Sequence, residues 1–354
     1  MPRGGAHFSS KELAQVLSYY NIGVIDQIQP LTAGNKRAPK MVVISETGKY
    51  LFKRRPRGKD DLYRVAFAHA VQTHLTKKGF PATTLIPTRD SNNTVLQLNS
   101  HIYECFKFVT GIRYNSSEAA TIDAGKQLAE FHGYLTDFAG KWKPLRSSFH
   151  DSSIVRRQLK IVGSNRKKNN ADDTIPLLSK SKNQILAKTA DKLMSLYNKS
   201  SVRCNELGFD SWQNQVVHGD WHPGNMLFDK NKLIAVLDFD SVKLAPAVTD
   251  LANGMLQFSI VGNRPNPADW PAYLDQKKLI QLLNGYKQSA KLDKHKLEAL
   301  VDLMIETIIA EAVLPIATTG FFGHLCGAEF LQMIHLKATW IDQNRKTLLK
   351  AIKT

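Results

Sequence analysis

The sequence predicts an α+β protein in which an N-terminal antiparallel sheet with one helix precedes a larger, mainly helical part. Residues 41–44 and 50–52 are apolar, strand-like runs separated by the polar Ser45-Glu46-Thr47-Gly48-Lys49, a hairpin signal. Beyond residue 112 the apolar residues recur mostly at helical spacing. The chain has 354 residues with 43% hydrophobic content, more than one core usually holds, so two lobes are expected. Their expected limits are 1–103 for the sheet lobe, 104–111 for a connector and 112–354 for the helical lobe.

The elements follow in order. Ser9 and Glu12 make a capping box for a helix over 10–20. After the hairpin comes a helix over 62–75, then a strand leading through Tyr103-Glu104-Cys105-Phe106-Lys107-Phe108-Val109 to Thr110-Gly111. Asn115 with Glu118 is the expected cap of a helix reaching about residue 135, where Leu128, Phe131 and Leu135 share a face. Further helices are expected over 153–162, 180–198, 250–259, 276–289, 297–314 and 329–353, with Gly320-Phe321-Phe322-Gly323 as a loop and 163–173 as a polar insertion.

The longest hydrophobic stretch, 299–317, carries Asp302, Glu306 and Glu311 and ends near Pro315, so it reads as a buried helix and not a membrane span. Asp302 and Glu306, four apart, read as a solvated stripe. Glu311, between Ala310 and Ala312, reads either as an acid of a binding pocket or as half of an internal salt bridge.

The formal charge of +17 invites a nucleic-acid partner, but the basic clusters at 36–59 and 166–182 lack the interleaved aromatics of a stacking platform. Nucleic acid is therefore not the expected partner. Three cysteines, Cys105, Cys204 and Cys326, without a CxxC pair fit a reducing cytoplasm, and residues 1–10 lack the apolar stretch of a signal peptide. The oligomeric state is not legible.

The chemistry is concentrated in His218-Gly219-Asp220-Trp221-His222-Pro223-Gly224-Asn225, followed by Leu237-Asp238-Phe239-Asp240. Apolar runs at 226–228 and 233–237 flank a polar turn, so a second hairpin is expected, and its pairing makes Asn225 and Asp238 neighbours. An amide oxygen and a carboxylate then converge, a donor set suited to Mg²⁺, which fills its octahedron with water and phosphates. Asp220, across the Pro223-Gly224 turn, is placed to orient or deprotonate a hydroxyl. His218 reads as loop support. With Asp220 and His222 it also spells HxDxH, the alternative being a metal-dependent hydrolase.

The pattern HGDxHxxN with a following DFD resembles the aminoglycoside phosphotransferase and choline kinase-like superfamily of small-molecule kinases, which share the two-lobed protein kinase fold. The resemblance is strongest over 216–252 and implies ATP and Mg²⁺ as cofactors. Asp220 then matches the catalytic aspartate, Asn225 and Asp238 the metal ligands, and Asp250 an aspartate that braces the catalytic loop. Lys53 matches the strand lysine that contacts the α and β phosphates, Gly34 and Asn35 fall in the phosphate-covering loop, and the adenine is expected against backbone near Glu104 and Phe106. Asp240 stands where protein kinases have glycine, and either approaches a second metal or faces solvent.

Only eleven residues separate Asp238 from Asp250, which leaves no room for a peptide-docking segment, so the expected acceptor is a small-molecule hydroxyl, of a sugar, an amino alcohol, a homoserine-like amino acid or an antibiotic. One departure stands out. Related kinases pair the strand lysine with a glutamate on the next helix, where this chain has Ala68. Either another acid, such as Asp60 or Asp61 near the helix start, substitutes, or Lys53 is held differently, and a nucleotide-binding regulatory pseudokinase is the alternative function.

Overall fold

In the computed structural model the described residues are 7–32, 34, 37–140, 147–164, 180–262 and 264–354, the side chains of 180–183 excepted. They pack as two compact units. The first lies within Met1–Asn115, Phe131–Leu145 and Gly224–Val242, the second within Ser116–Glu130, Arg146–Pro223 and Lys243–Thr354.

The first unit begins with α1 (Ser10–Leu17), whose Ser9 and Glu12 cap each other reciprocally, as the sequence indicated. Glu12 also takes a salt bridge from Arg54 at 2.6 Å and the Tyr103 hydroxyl proton at 2.8 Å, so the cap ties the helix to the sheet. The sheet comprises β1 (Ile25–Pro30), β2 (Lys40–Ser45), β3 (Gly48–Arg54), β4 (Leu96–Leu98) and β5 (His101–Lys107), in the antiparallel order β1-β2-β3-β5-β4. Between β3 and β4 runs α2 (Leu62–Lys77), capped by the Asp61 side chain on the Arg64 N–H.

Strand alternation sorts the residues onto two faces. Val43, Phe52, Tyr103 and Cys105 pack against Leu13, Val16 and Leu17 of α1 in a dry core. Their neighbours Leu51, Lys53, Glu104 and Phe106 line a cavity on the other face. The hairpin β7 (Met226–Asp229) and β8 (Lys232–Val236) belongs to this unit, with Met226 paired to Val236. Ile112 and Phe228 exchange backbone hydrogen bonds at 2.8 Å, and Val236 donates to Pro81, fixing the hairpin in place.

The second unit is mainly helical: α3 (Glu118–Tyr134, up to Glu130), α4 (Ser153–Gly163), α5 (Lys180–Glu206), α6 (Ala247–Ser259), α7 (Gln276–Lys287), α8 (Lys294–Thr319), α9 (Gly327–Gln343) and α10 (Arg345–Lys353). The short strands β6 (Gln215–Val217) and β9 (Lys243–Ala245) pair antiparallel, as do β10 (Phe321–Phe322) and β11 (Leu325–Cys326). The Gly-Phe-Phe-Gly segment is thus part of a small hairpin and not a plain loop. The start of α3 is capped by Ser117, whose hydroxyl accepts the Ala120 N–H, and not by Asn115. Asn344 divides the expected 329–353 helix into α9 and α10.

Helices α3 and α7 cross at two glycines. A Cβ on Gly125 would lie 2.0 Å from the Leu282 carbonyl oxygen, and one on Gly285 1.9 Å from that of Ile122, so only backbone fits the crossing.

Asp302 and Glu306 of α8 are buried, correcting the solvated stripe. Asp302 binds Arg203 at 3.1 Å and Arg345 at 2.9 Å, whereas Glu306 meets His150 Nδ1 at 2.9 Å and the Ser201 hydroxyl. Among the described residues no helix is long and apolar enough to cross a membrane.

Candidate active site

The sheet face of the first unit opens on a cavity of about 580 Å³. Its walls carry seven lysine and arginine side chains (Lys40, Lys49, Lys53, Arg55, Lys59, Lys107 and Arg113) against three carboxylates, Glu104, Asp238 and Asp240. Such an excess of cations suits a polyanion.

Lys53, near the end of β3, is the directly opposed partner of Glu104 on β5. Its Nζ lies 3.7 Å from Glu104 Oε2 and 3.6 Å from Asp240 Oδ2. Burial works against the Lys53 charge, but the two carboxylates outweigh it and raise the pKa above the ordinary lysine value. Each contact supplies roughly 4 kcal/mol of Coulomb attraction at an effective dielectric near 20, before desolvation. Burial likewise opposes the Glu104 charge, but Lys53, a hydrogen bond from His69 and Arg55 hold its carboxyl well below the usual range. His69 Nε2 lies 2.7 Å from Glu104 Oε1, and Nδ1 2.9 Å from the Thr94 hydroxyl.

The acid missing at Ala68 is therefore replaced from the sheet. Neither Asp60 nor Asp61 supplies it: Asp60 accepts the Gly58 N–H and Asp61 caps α2. Asp240 is also reassigned. It neither faces solvent nor stands free for a second metal, because its oxygens bind Arg55 at 2.7 Å and Lys53 at 3.6 Å.

The adenine expectation shifts as well. Ile86 donates to the Cys105 carbonyl and Lys107 to that of Thr84, each at 2.8 Å, so the odd-numbered residues of β5 turn their backbone groups away from β3. Alternation then turns the backbone of Glu104 and Phe106 toward β3, where Lys53 and Leu51 oppose them. Both residues reach the cavity through their side chains instead. Gly34 also lines the cavity. Asn35 lies outside the described residues.

Asn225 and Asp238 flank the β7–β8 hairpin, and the Leu237 N–H donates to the Asn225 carbonyl at 2.8 Å. Both line the same cavity as Lys53. Asp238 adopts φ 57°, a left-handed conformation that costs a non-glycine residue about 1–3 kcal/mol and concentrates at functional sites. Its carboxylate accepts the Asp240 N–H at 3.4 Å. Asn225 and Asp238 thus offer an amide oxygen and a carboxylate to a cation-rich cavity, a donor set that fits a hard divalent cation that also takes phosphate oxygens.

In the second unit, both oxygens of Asp250 are spent on the loop that carries Asp220. They accept the His218 N–H at 2.7 Å and the Gly219 N–H at 2.8 Å, with Gly219 in the left-handed region at φ 75°. Trp221, fully buried, donates its indole N–H to the Ala124 carbonyl at 3.2 Å, and its ring stands edge-on to the buried His218 at 5.5 Å. Asp220 and His222 stay partly exposed on either side of this anchor. Among the described residues the HxDxH side chains form no metal-binding triad. The one cluster of three with donor atoms within 4.8 Å is His150, Cys204 and Glu306, where His150 and Glu306 already bond each other.

Glu311 has no ion-pair contact among the described residues; it accepts from Asn253 at 2.6 Å and Gln257 at 2.5 Å. Burial and the Asp220 charge push its carboxyl up to about 8, against those amides and Lys243. Lys243 is held below the ordinary lysine range by burial, against the pull of Asp250, Glu311 and Asp220. These charges were not assignable as a group from sequence, because Asp250 of α6, Glu311 of α8, Lys243 of β9 and Asp220 of the loop after β6 come from four separate segments.

The fold extends to solved enzymes. An aminoglycoside phosphotransferase from Alicyclobacillus acidocaldarius matches with a TM-score of 0.66 at 16% identity, covering 99% of this chain and 97% of that one. A spectinomycin phosphotransferase in complex with ADP and spectinomycin matches at 0.65 and 17% identity, over 98% and 99%. A microcompartment-associated aminopropanol kinase matches at 0.66 and 12%, over 96% and 98%. These likenesses show the α+β kinase-like fold. A search of curated protein sequences finds no match. The model of the phosphotransferase enzyme family matches residues 27–290, more than half of the sequence, and includes the Lys53, Asp220, Asn225, Asp238 and Asp250 positions; the chain belongs to that family.

Proposed function

We infer that the protein is an ATP- and Mg²⁺-dependent kinase that transfers the γ-phosphoryl group to a hydroxyl of a small molecule. The observation that carries this reading is Lys53 held charged between Glu104 and Asp240, in the cavity that also contains Asn225 and Asp238. Lys53 anchors the phosphates, and Asn225 and Asp238 hold the cation. Mg²⁺ supplies neutralisation of the charge that develops on the phosphate oxygens. The base fits against the backbone at the end of β5 and just past it, where Lys107 and Val109 line the cavity and the Lys107 backbone is turned away from β3. Asp220 orients the acceptor hydroxyl, on a loop that Asp250 and Trp221 keep rigid. Little covalent chemistry falls to the protein, so alignment supplies most of the rate.

The acceptor is an amino alcohol. Glu311, neutral near pH 7 when alone, ionises at little cost beside an ammonium group, and the Asn253 and Gln257 amides aim it. Similar structures include the aminopropanol kinase and a Plasmodium vivax ethanolamine kinase, the latter at 13% identity. The regulatory pseudokinase reading rested on Ala68, and Glu104 removes that support. Incubation with ATP, Mg²⁺ and a panel of amino alcohols, sugars and hydroxylated amino acids, read by mass spectrometry, tests the reading. A phosphorylated amino alcohol is expected, and its formation is lost in Asp220→Asn while ATP binding persists. Turnover retained in that variant overturns the role of Asp220, and no phosphorylated product from any acceptor overturns the kinase reading.

A further inference from the structure

Arg55 is 6% exposed and belongs to no expected ligand set. Its Nη2 donates to Glu104 Oε1 at 2.8 Å and to Asp240 Oδ1 at 2.7 Å, while Nη1 donates to the Lys59 carbonyl at 3.0 Å. Lys53 takes the other oxygen of each carboxylate, Glu104 Oε2 at 3.7 Å and Asp240 Oδ2 at 3.6 Å. The four side chains close a ring of alternating sign, Lys53–Glu104–Arg55–Asp240, in which each acid bridges both cations.

The ring joins segments far apart in sequence. Lys53 stands on β3 and Arg55 just beyond it, Glu104 on β5, and Asp240 on the turn two residues after Asp238. The Arg55 contact to Lys59 adds the segment that leads into α2. A guanidinium is suited to this task, because its planar fork serves several acceptors in fixed directions, whereas an ammonium is a point charge. With both oxygens committed to Arg55 and Lys53, Asp240 acts as a strut and not as a cation ligand.

We propose that Arg55 is a positioning residue that couples the phosphate-binding lysine to the metal-binding turn, by clamping Asp240 and thereby fixing the direction in which Asp238 presents its carboxylate. The inference rests on the kinase reading above. It makes Arg55 a supporting residue of the kind whose loss costs about 10–100-fold in metal affinity.

The test is calorimetric titration of the full chain with ADP, with and without MgCl₂, in the wild type, Arg55→Met, Asp240→Asn and the double variant. Each single change is expected to cut the Mg²⁺-dependent gain in ADP affinity by about 10–100-fold, the gain being taken as the ratio of the affinities with and without Mg²⁺ for the same variant, so that a change in phosphate binding alone cancels. The double variant is expected to be no worse than the poorer single, because both changes break one clamp. Singles that keep the wild-type gain, or a double variant whose loss is the product of the two, overturn the coupling. Should Arg55→Met not fold, Arg55→Lys replaces it, with an intermediate loss expected and a full wild-type gain counting against the proposal. A wild type that binds no ADP with or without Mg²⁺ overturns the kinase reading itself, whereas normal wild-type binding with independent losses overturns the clamp alone.

Discussion

Lys53 and Glu104 face each other across β3 and β5, and their side chains meet at 3.7 Å in the cavity. The pair performs from within one sheet the task that the sequence comparison assigned to a helix. Glu104 is nearly inaccessible at 1%, so its charge depends on Lys53, Arg55 and His69.

Replacing Glu104 by Gln is expected to release Lys53 and lower the rate of transfer about 10²-fold, the scale of an ångström-level misplacement. Ala68 lines the same cavity, so Ala68→Glu in that background is expected to recover about tenfold of the loss by returning an acid to the helix. Steady-state kinetics with the acceptor found by the panel decide both; a Glu104→Gln variant of full activity would remove the pair from the mechanism.

Glu311 makes stability depend on pH in a defined direction. Its folded pKa, about 8, lies above the ordinary carboxyl value of 4.5. Between those values the folded state keeps a proton that the unfolded chain has released, so this group's contribution falls as pH rises from about 4.5 to 8 and is level above. Glu311→Gln is expected to remove that decline. Urea unfolding of both proteins from pH 5 to 9 checks it, and parallel curves would contradict the assignment.

Asp302 carries a structural charge. With Arg203 and Arg345 both bound to a fully buried carboxylate, Asp302→Ala is expected to cost about 3–5 kcal/mol, because Arg345 loses its carboxylate and Arg203 is left with Asp342 alone. Chemical denaturation measures this directly; a loss below about 1 kcal/mol, the range of surface pairs, would refute it.

The α3–α7 crossing separates packing from propensity. Gly125→Ala places a methyl 2.0 Å from a carbonyl oxygen and is expected to destabilise by about 1–3 kcal/mol or more. Gly133→Ala, in the same helix with nothing within 4 Å, is expected to leave stability unchanged or raise it by up to about 1 kcal/mol. Opposite shifts in melting temperature distinguish the two.

Much of this was legible because it is local. The Ser9–Glu12 box, the two hairpins and the pairing of Asn225 with Leu237, the residue before Asp238, follow from spacing within a few residues of a turn. What escaped depends on partners distant in sequence. Glu104 is fifty-one positions beyond Lys53, and only the pairing of β3 with β5 brings them together. Asp302 and Glu306 look like a surface stripe until Arg203, Arg345, His150 and Ser201 arrive from other segments. The break at Asn344 rests on one residue of helix-ending type, with no glycine or proline beside it to mark a stop.

The two faces of the sheet impose a further condition on the chemistry. Side chains alternate along a strand, so sliding β3 against β5 by a single residue would turn Phe52 or Cys105 into the cavity and press Lys53 or Glu104 into the apolar layer beneath α1. No intermediate offset exists. Core burial therefore fixes the face on which Lys53 and Glu104 stand, but a two-residue slide would keep that face and part the two, so the register that sets Lys53 opposite Glu104 is a second and separate requirement on the folded sheet.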